Sequence, residues 1–222
     1  MIRLLRVDAS ASDTSVSRCL ADAFVEELHA ASPKRVTVAA RDLAKDPVNH
    51  MTRAYLGASV ASRGILGCEE QAAMDQRHVL ASEVASADVL VLSSPMYNWS
   101  VPSNLKAWID QMLVPGVTLP ADPSTRPLEN RYAVAFLAYG GSGSLRGQDA
   151  PFDFCEPYLK GLLGTVLGYQ ARVIVARNSG LMNIHGDIPC ESFLEALADA
   201  KKHGQTVARF CTETRSKYEA SN

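Results

Sequence analysis

Three stretches of the chain carry residues suited to chemistry. Pro95-Met96-Tyr97-Asn98-Trp99 directly follows the apolar run from Val89 to Leu92 and two serines. A flat aromatic, an amide and a flexible thioether at a strand exit suit a planar, partly polar ring. Pro95 sits where a central strand could not continue. Ser10, Ser15 and Ser17 follow the run that ends at Asp8, and they open a helix. A helix start offers unpaired N–H groups and the positive end of the dipole, and the hydroxyls add donors. That set suits a phosphate, with about two negative charges and several acceptor oxygens. Arg18 is the nearest cation. Gly140-Gly141 follow the run Tyr132 to Ala138. Glycine allows close backbone approach and positive φ, so these amides suit a ring edge on which negative charge builds. Each stretch has a plainer reading: Ser15 as a helix cap, Tyr97 and Trp99 as cover for the sheet, and the glycine pair as a turn.

Other chemistries find little support. No serine lies in G-x-S-x-G. There is no G-x-x-x-x-G-K-[ST], and Gly141-Ser142-Gly143 opens no apolar helix directly, so it is no dinucleotide fingerprint. The five cysteines are odd in number and widely spaced, with no C-x-x-C. Reduced thiols in a cytoplasmic protein fit this pattern, and a zinc site does not. Cys19 lies near the serine helix and reads as a small buried apolar residue. His29 and His203 fall in helical stretches and read as solvated surface residues. His50 and His78 belong to no motif. His185, in Asn183 to Asp187, either approaches the ligand face or is a plain loop residue.

The chain has 222 residues, 47% hydrophobic and 21% charged, with a net charge of −2. It is long enough for a substantial core, and 1–222 reads as one domain. The charge favours neither nucleic acid nor an anionic membrane as partner. The first residues form a strand rather than a signal peptide. No apolar stretch approaches the roughly 18 residues that span a bilayer.

The elements that must position these loops alternate. Strands are expected at Ile2–Val7, Val36–Ala40, Asp88–Ser94, Tyr132–Ala138 and Ala171–Ala176. Helices are expected over Ser17–Ala31, Met51–Ile65, Cys68–Ala85, from Pro102 to near Pro115, over Pro151–Leu167 and over Ser192–Glu213. In the second half of this set, Leu105, Trp108, Ile109 and Met112 recur at spacings of three and four. For Cys68–Ala85 the inner positions are read as Ala72, Ala73, Val79, Leu80 and Val84. The segment 117–131, with Pro120, Asp122, Pro123 and Pro127, reads as a long excursion, of the kind a loose hairpin makes, that returns at Tyr132. Alternating apolar strands and helices predict an α/β three-layer sandwich with a five-stranded parallel sheet. The order 2-1-3-4-5 is the flavodoxin-like solution. Its ligand sits at the switch between strands 1 and 3. Those strands carry the serine and aromatic loops.

Taken together, Ser10…Ser15-Val16-Ser17-Arg18, Arg41-Asp42-Leu43, Ser94 to Trp99, Pro102 to Asp110, Gly116-Val117-Thr118 and Gly140-Gly141 resemble the FMN-dependent NADH azoreductases, within the flavodoxin-like quinone reductases. The resemblance covers about residues 2 to 175. It implies an FMN phosphate held by Ser10, Ser15, Val16 and Ser17. It implies an isoalloxazine lined by Pro95, Met96, Tyr97, Asn98 and Trp99, with Ala138, Tyr139, Gly140 and Gly141 at its other edge. It also implies a homodimer whose active site draws on both subunits, with Trp99 and Trp108 as interface candidates. The serine loop departs from many relatives in carrying Ala11-Ser12 and in looking one residue shorter. Ala138 stands where a hydroxyl is common, so any contact there runs through backbone.

The implied reaction is a two-step exchange. NADH or NADPH passes a hydride to the flavin and leaves, and a quinone or azo compound then takes two electrons in the same space. No residue need act as nucleophile. The rival from another class is a non-enzymatic flavodoxin-like electron carrier. Such carriers are strongly acidic, whereas this chain is near neutral. A closer rival is a quinone reductase that holds FAD.

Overall fold

The computed structural model describes residues 1–55, 66–122, 124–141, 153–180 and 190–219. Five strands, β1 (Ile2–Asp8), β2 (Val36–Asp42), β3 (Val89–Pro95), β4 (Tyr132–Ala138) and β5 (Gln170–Ala176), form one sheet in the order β2-β1-β3-β4-β5. Every pairing is parallel. The helices are α1 (Val16–Ala31), α2 (Cys68–Ser86), α3 (Ser103–Met112), α4 (Glu156–Lys160) and α5 (Glu191–Glu219). This is the flavodoxin-like architecture.

The strand pleat sends alternate side chains to opposite faces. Leu4, Val91, Val134 and Phe136 face one layer, where Leu20, Phe24 and Leu28 of α1 and Ala200 and Val207 of α5 cover them. Phe24 and Phe136 meet with ring centroids 5.6 Å apart. Leu5, Val7, Leu90, Leu92 and Leu137 face the other layer, against Leu80 and Val84 of α2, Trp108 and Ile109 of α3, and Leu159. Burial on both faces explains why β3 and β4 are apolar nearly throughout.

Several details differ from the sequence expectation. In α2 the buried positions are Arg77, Leu80, Ala81 and Val84, while Val79 is exposed. Arg77 turns inward because its Nε reaches the Gln111 carbonyl at 3.2 Å and its Nη2 the Leu113 carbonyl, capping the end of α3. Segment 117–131 contains no strand among its described residues. It is tied down instead by Thr118, whose hydroxyl donates to the Met112 carbonyl at 2.7 Å, and by buried Leu128. Helix α4 begins at Glu156 because the Asp153 carboxylate accepts from the Cys155 and Glu156 N–H groups, each at 3.0 Å. The chain then widens into a π-helix over Gly161–Val166. Of the helix expected at Met51–Ile65, all after residue 55 lies outside the described residues, as do Pro151 and His185. No helix among the described residues is long and apolar enough to cross a membrane.

Candidate functional site

Because β1, β3 and β4 are parallel neighbours, their carboxyl ends open on one edge of the sheet. Asp8 aligns with Ser93, and Pro95 with Ala138. The serine, aromatic and glycine loops therefore emerge side by side, with adjacent strands about 4.8 Å apart. Two hydrogen bonds tie them together: Ala9 N–H to the Ser93 carbonyl and Met96 N–H to the Ala138 carbonyl, both 2.9 Å.

Ser15 is the N-cap of α1, and its Oγ accepts from Arg18 N–H at 3.4 Å. Ser15 and Ser17 hydroxyls lie 3.0 Å apart. Ser10 Oγ accepts from Ser12 N–H at 3.2 Å, so its own proton stays available to an anion. Val16 and Ser17 N–H groups, the first two of the helix, have no partner among the described residues. Capping and anion binding are thus compatible at Ser15. Arg18 points elsewhere: its guanidinium clasps Asp42 at 2.8 and 3.0 Å and donates to the Ser10 carbonyl at 2.7 Å. This ion pair raises the Arg18 pKa and lowers that of Asp42.

In the aromatic loop, Tyr97 and Ser100 exchange backbone hydrogen bonds of 3.0 and 3.1 Å. Between them Asn98 and Trp99 both have positive φ, 49° and 67°. Two positive-φ residues in a two-residue turn are typical of a type I′ turn. Asparagine tolerates this region, but a tryptophan there is strained by about 1–3 kcal/mol. The turn is held by its reciprocal bonds and by Phe154 N–H, which donates to the Trp99 carbonyl at 3.0 Å. As a result the Tyr97 and Trp99 rings are presented to solvent, 42% and 52% exposed. The N–H groups of Asn98 and Trp99 donate to no group among the described residues.

The glycine loop is set from behind. Asn178, Ser179 and Gly180, just past β5, donate their N–H groups to the carbonyls of Gly141, Tyr139 and Gly140 at 2.8, 2.9 and 3.0 Å. The Gly140 and Gly141 N–H groups have no partner among the described residues. Neither glycine has positive φ, and a Cβ built on either meets nothing within 4 Å. What the structure offers at this pair is open space rather than unusual torsion. Positive φ, the other property that glycine allows there, is not used.

Other residues are placed differently from the sequence reading. The Tyr139 ring lies in the core beneath the cleft, with its hydroxyl 2.9 Å from both Asp153 carboxylate oxygens. Burial, with Cys155 and Asp153 nearby, pushes that hydroxyl pKa up. Ala138 presents only backbone, and its carbonyl is taken by Met96. Trp108 is fully buried in its own core and covers no interface. Cys19 is exposed rather than buried, and desolvation with Asp22 and Glu26 raises its pKa, so it is no activated nucleophile. His203 is half-buried rather than a fully solvated surface residue: both ring nitrogens are buried without a partner among the described residues.

Sequence reasoning missed the Asn178-Ser179-Gly180 strap and the partnership of Arg18 with Asp42. It also missed Asn104, whose Nδ2 donates to the Ala9 carbonyl at 3.2 Å. Asp42 and Asn104 stand within the motifs Arg41-Asp42-Leu43 and Pro102 to Asp110, which was the available signal.

The residues present fit a flavin mononucleotide. Six N–H groups without partners among the described residues, on three adjacent strand exits, suit an acceptor-rich phosphate and ring edge, and the exposed aromatics suit the face of a planar ring. The comparisons with known proteins agree. A family model described as flavodoxin-like fold matches residues 2–183. The FMN-dependent NADH:quinone oxidoreductase 2 of Pseudomonas fluorescens is 38% identical over 192 residues, covering 84% of this chain and 92% of that protein. The FMN-dependent NADH:quinone oxidoreductase of Azotobacter vinelandii is 36% identical over 213 residues, covering 94% and 100%. Among solved structures, an azoreductase from Bacillus anthracis superposes with a TM-score of 0.79 at 23% identity, covering 93% of this chain and 100% of that one. An FMN-dependent NADH-azoreductase of the same species, in complex with FMN, gives 0.78 at 20% identity, covering 94% and 100%. At these identities the structural likeness speaks for the fold.

Proposed function

We propose that this chain, which belongs to the flavodoxin-like fold family, is an FMN-dependent NADH:quinone oxidoreductase that also reduces azo compounds. The observation that carries this reading is the set of six N–H groups, of Val16, Ser17, Asn98, Trp99, Gly140 and Gly141, that have no partner among the described residues and lie at one sheet edge. Relatives with 36–38% identity over most of both chains carry that activity in their names.

The bound flavin supplies two-electron exchange between NADH and the acceptor. The protein's residues hold and orient. Val16 and Ser17 N–H groups, with the Ser10, Ser15 and Ser17 hydroxyls, take the phosphate. Pro95, Met96, Tyr97, Asn98 and Trp99 line the ring. Gly140 and Gly141 N–H groups meet the edge where negative charge develops, and a fixed donor there costs no reorganisation when charge appears. Ala138 and Tyr139 act through the backbone that carries this pair. A planar acceptor that stacks on the ring is recognised by shape more than by hydrogen bonds, so several aromatic acceptors are expected to react.

A homodimer is part of this proposal. Phe154, 58% exposed, lines an apolar groove of about 430 Å³ with Val101, Pro157 and Tyr158, and its N–H binds the carbonyl of Trp99, itself 52% exposed. Exposed apolar side chains gathered around one groove are the kind of patch that a second subunit covers. One domain over 1–222 and a cytoplasmic location, suited to five free cysteines, complete the reading.

The test is direct. Purified protein is expected to show a flavin absorption spectrum, to release FMN rather than FAD on heating, and to oxidise NADH with menadione as acceptor. Protein that stays colourless and inactive after incubation with FMN refutes the reading. Flavin binding without NADH oxidation supports the electron carrier instead.

A further inference from the structure

We propose that Arg18 and Asp42 form a latch that positions the phosphate-binding loop, and that Arg18 is a positioning residue rather than a ligand of the phosphate. The proposal rests on the flavin-binding reading above and deepens it.

The geometry forms a continuous path. Asp42 ends β2, and its carboxylate is fixed to the backbone by Ala44 and Lys45 N–H groups at 3.0 and 3.3 Å. Both guanidinium Nη atoms of Arg18 bind that carboxylate, and Nη2 continues to the Ser10 carbonyl at 2.7 Å. Arg18 Nε is buried with no partner among the described residues, so the hydrogen bonds that orient the guanidinium are those to Asp42 and Ser10. In a trans peptide the C=O and the following N–H point in opposite directions. Drawing the Ser10 carbonyl onto Arg18 therefore turns the Ala11 N–H away from the guanidinium and keeps a repulsive carbonyl oxygen off an incoming anion.

The charges around the latch show why positioning matters. Arg6 binds Asp8 at 2.9 Å and also pairs with Asp22, while Asp8 lies 3.9 Å from Arg18. With Lys45, 3.9 Å from Asp42, three cations thus face three carboxylates. A phosphate arriving here finds no net positive charge in the cluster. It must be held by fixed dipoles and hydroxyls, and such donors bind well only when already in place. A bidentate, planar cation is what such a latch requires, and lysine cannot reproduce that fork.

Apoprotein titrated with FMN and, separately, with riboflavin, which lacks the phosphate, tests the latch through flavin fluorescence quenching. Arg18→Met, Arg18→Lys and Asp42→Asn are each expected to weaken FMN binding about tenfold, the scale of one charge-assisted hydrogen bond. Riboflavin affinity should stay within about twofold, because the ring loops are untouched. The double variant Arg18→Met/Asp42→Asn should be no weaker than either single one. Asp42→Asn is isosteric and keeps the test in hand should Arg18→Met fold poorly. Tighter or unchanged FMN binding in Asp42→Asn, rescue by Arg18→Lys, or equal losses for FMN and riboflavin would each overturn the latch. Wild-type apoprotein that binds neither flavin overturns the functional reading with it. Normal wild-type binding combined with unaffected variants overturns the latch alone.

Discussion

Asn104 joins the two halves of the site: its Nδ2 donates to the Ala9 carbonyl at 3.2 Å while its Oδ1 accepts from Leu105 N–H at 2.8 Å. One side chain thereby fixes the start of α3, which follows the aromatic loop, and the exit of β1, which leads into the serine loop. Both bonds are partly buried, so losing either leaves a polar group that water only partly satisfies.

Asn104→Asp keeps the acceptor for Leu105 but removes the donor to Ala9 and sets a carboxylate against that carbonyl. It should lower stability by about 1–2 kcal/mol and weaken FMN binding, whereas Asn104→Gln should not restore the bond because its longer side chain displaces the amide. Chemical denaturation and FMN titration check this. Unchanged values for Asn104→Asp would remove Asn104 from the account of the site.

Gly180 makes a second prediction. A Cβ there would stand 2.7 Å from the Gly140 carbonyl oxygen and 3.3 Å from its Cα. Backbone cannot yield as a flexible side chain does, so Gly180→Ala must push the glycine loop. The expected result is a folded protein with a shifted visible flavin spectrum and weaker flavin binding. FMN and riboflavin should be affected alike, because the displaced loop meets the ring and not the phosphate. A wild-type spectrum in Gly180→Ala would mean that the strap does not set the ring edge.

These relationships show which parts of the molecule were readable from sequence. The parallel sheet followed from apolar runs alternating with helical spacing, clearest at β3 and β4, which are buried on both faces, and the order 2-1-3-4-5 is the flavodoxin-like solution for that alternation. The exit at Pro95 was legible because proline cannot donate to the ladder. The Arg18–Asp42 clasp joins residues 24 positions apart, and the bond from Asn104 to Ala9 spans 95. Local periodicity carries no trace of such pairings. Trp108 was placed correctly on a helix, but only packing reveals that its face meets the core. Tyr139 was assigned to the right loop, while the direction of its ring depended on the pleat of β4 and on Asp153, outside any local pattern.

Trp99 offers a third prediction, on the trade between stability and function. Its φ of 67° suits glycine, and its ring is half exposed, so removing it forfeits little burial. Trp99→Gly should raise apoprotein stability by about 0.5–1 kcal/mol by relieving the backbone. The same change removes an aromatic wall, so it should weaken flavin binding and slow NADH:quinone turnover. Thermal melts of the apoprotein together with FMN titration report both effects. A less stable apoprotein would show that the ring's own packing outweighs the strain.

His203 provides the pH dependence. Its ring nitrogens are buried in α5 without partners, near Arg172 of β5 and beside Asp199 and Lys202. Desolvation, followed by the repulsion of Arg172, lowers its pKa below the ordinary value of 6.5, against the weaker pull of Asp199. The unfolded chain titrates near that ordinary value and therefore binds more protons than the folded one just below it. Stability consequently falls as pH drops through about 6.5 toward the depressed folded value, and levels off once both states are charged. His203→Phe or His203→Leu removes this contribution, while the carboxylates elsewhere titrate as before. The loss of Tm between pH 8 and pH 5.5 should thus be smaller in either variant than in the wild type. Equal losses in all three proteins would mean that the buried imidazole accepts its proton in the folded state without penalty.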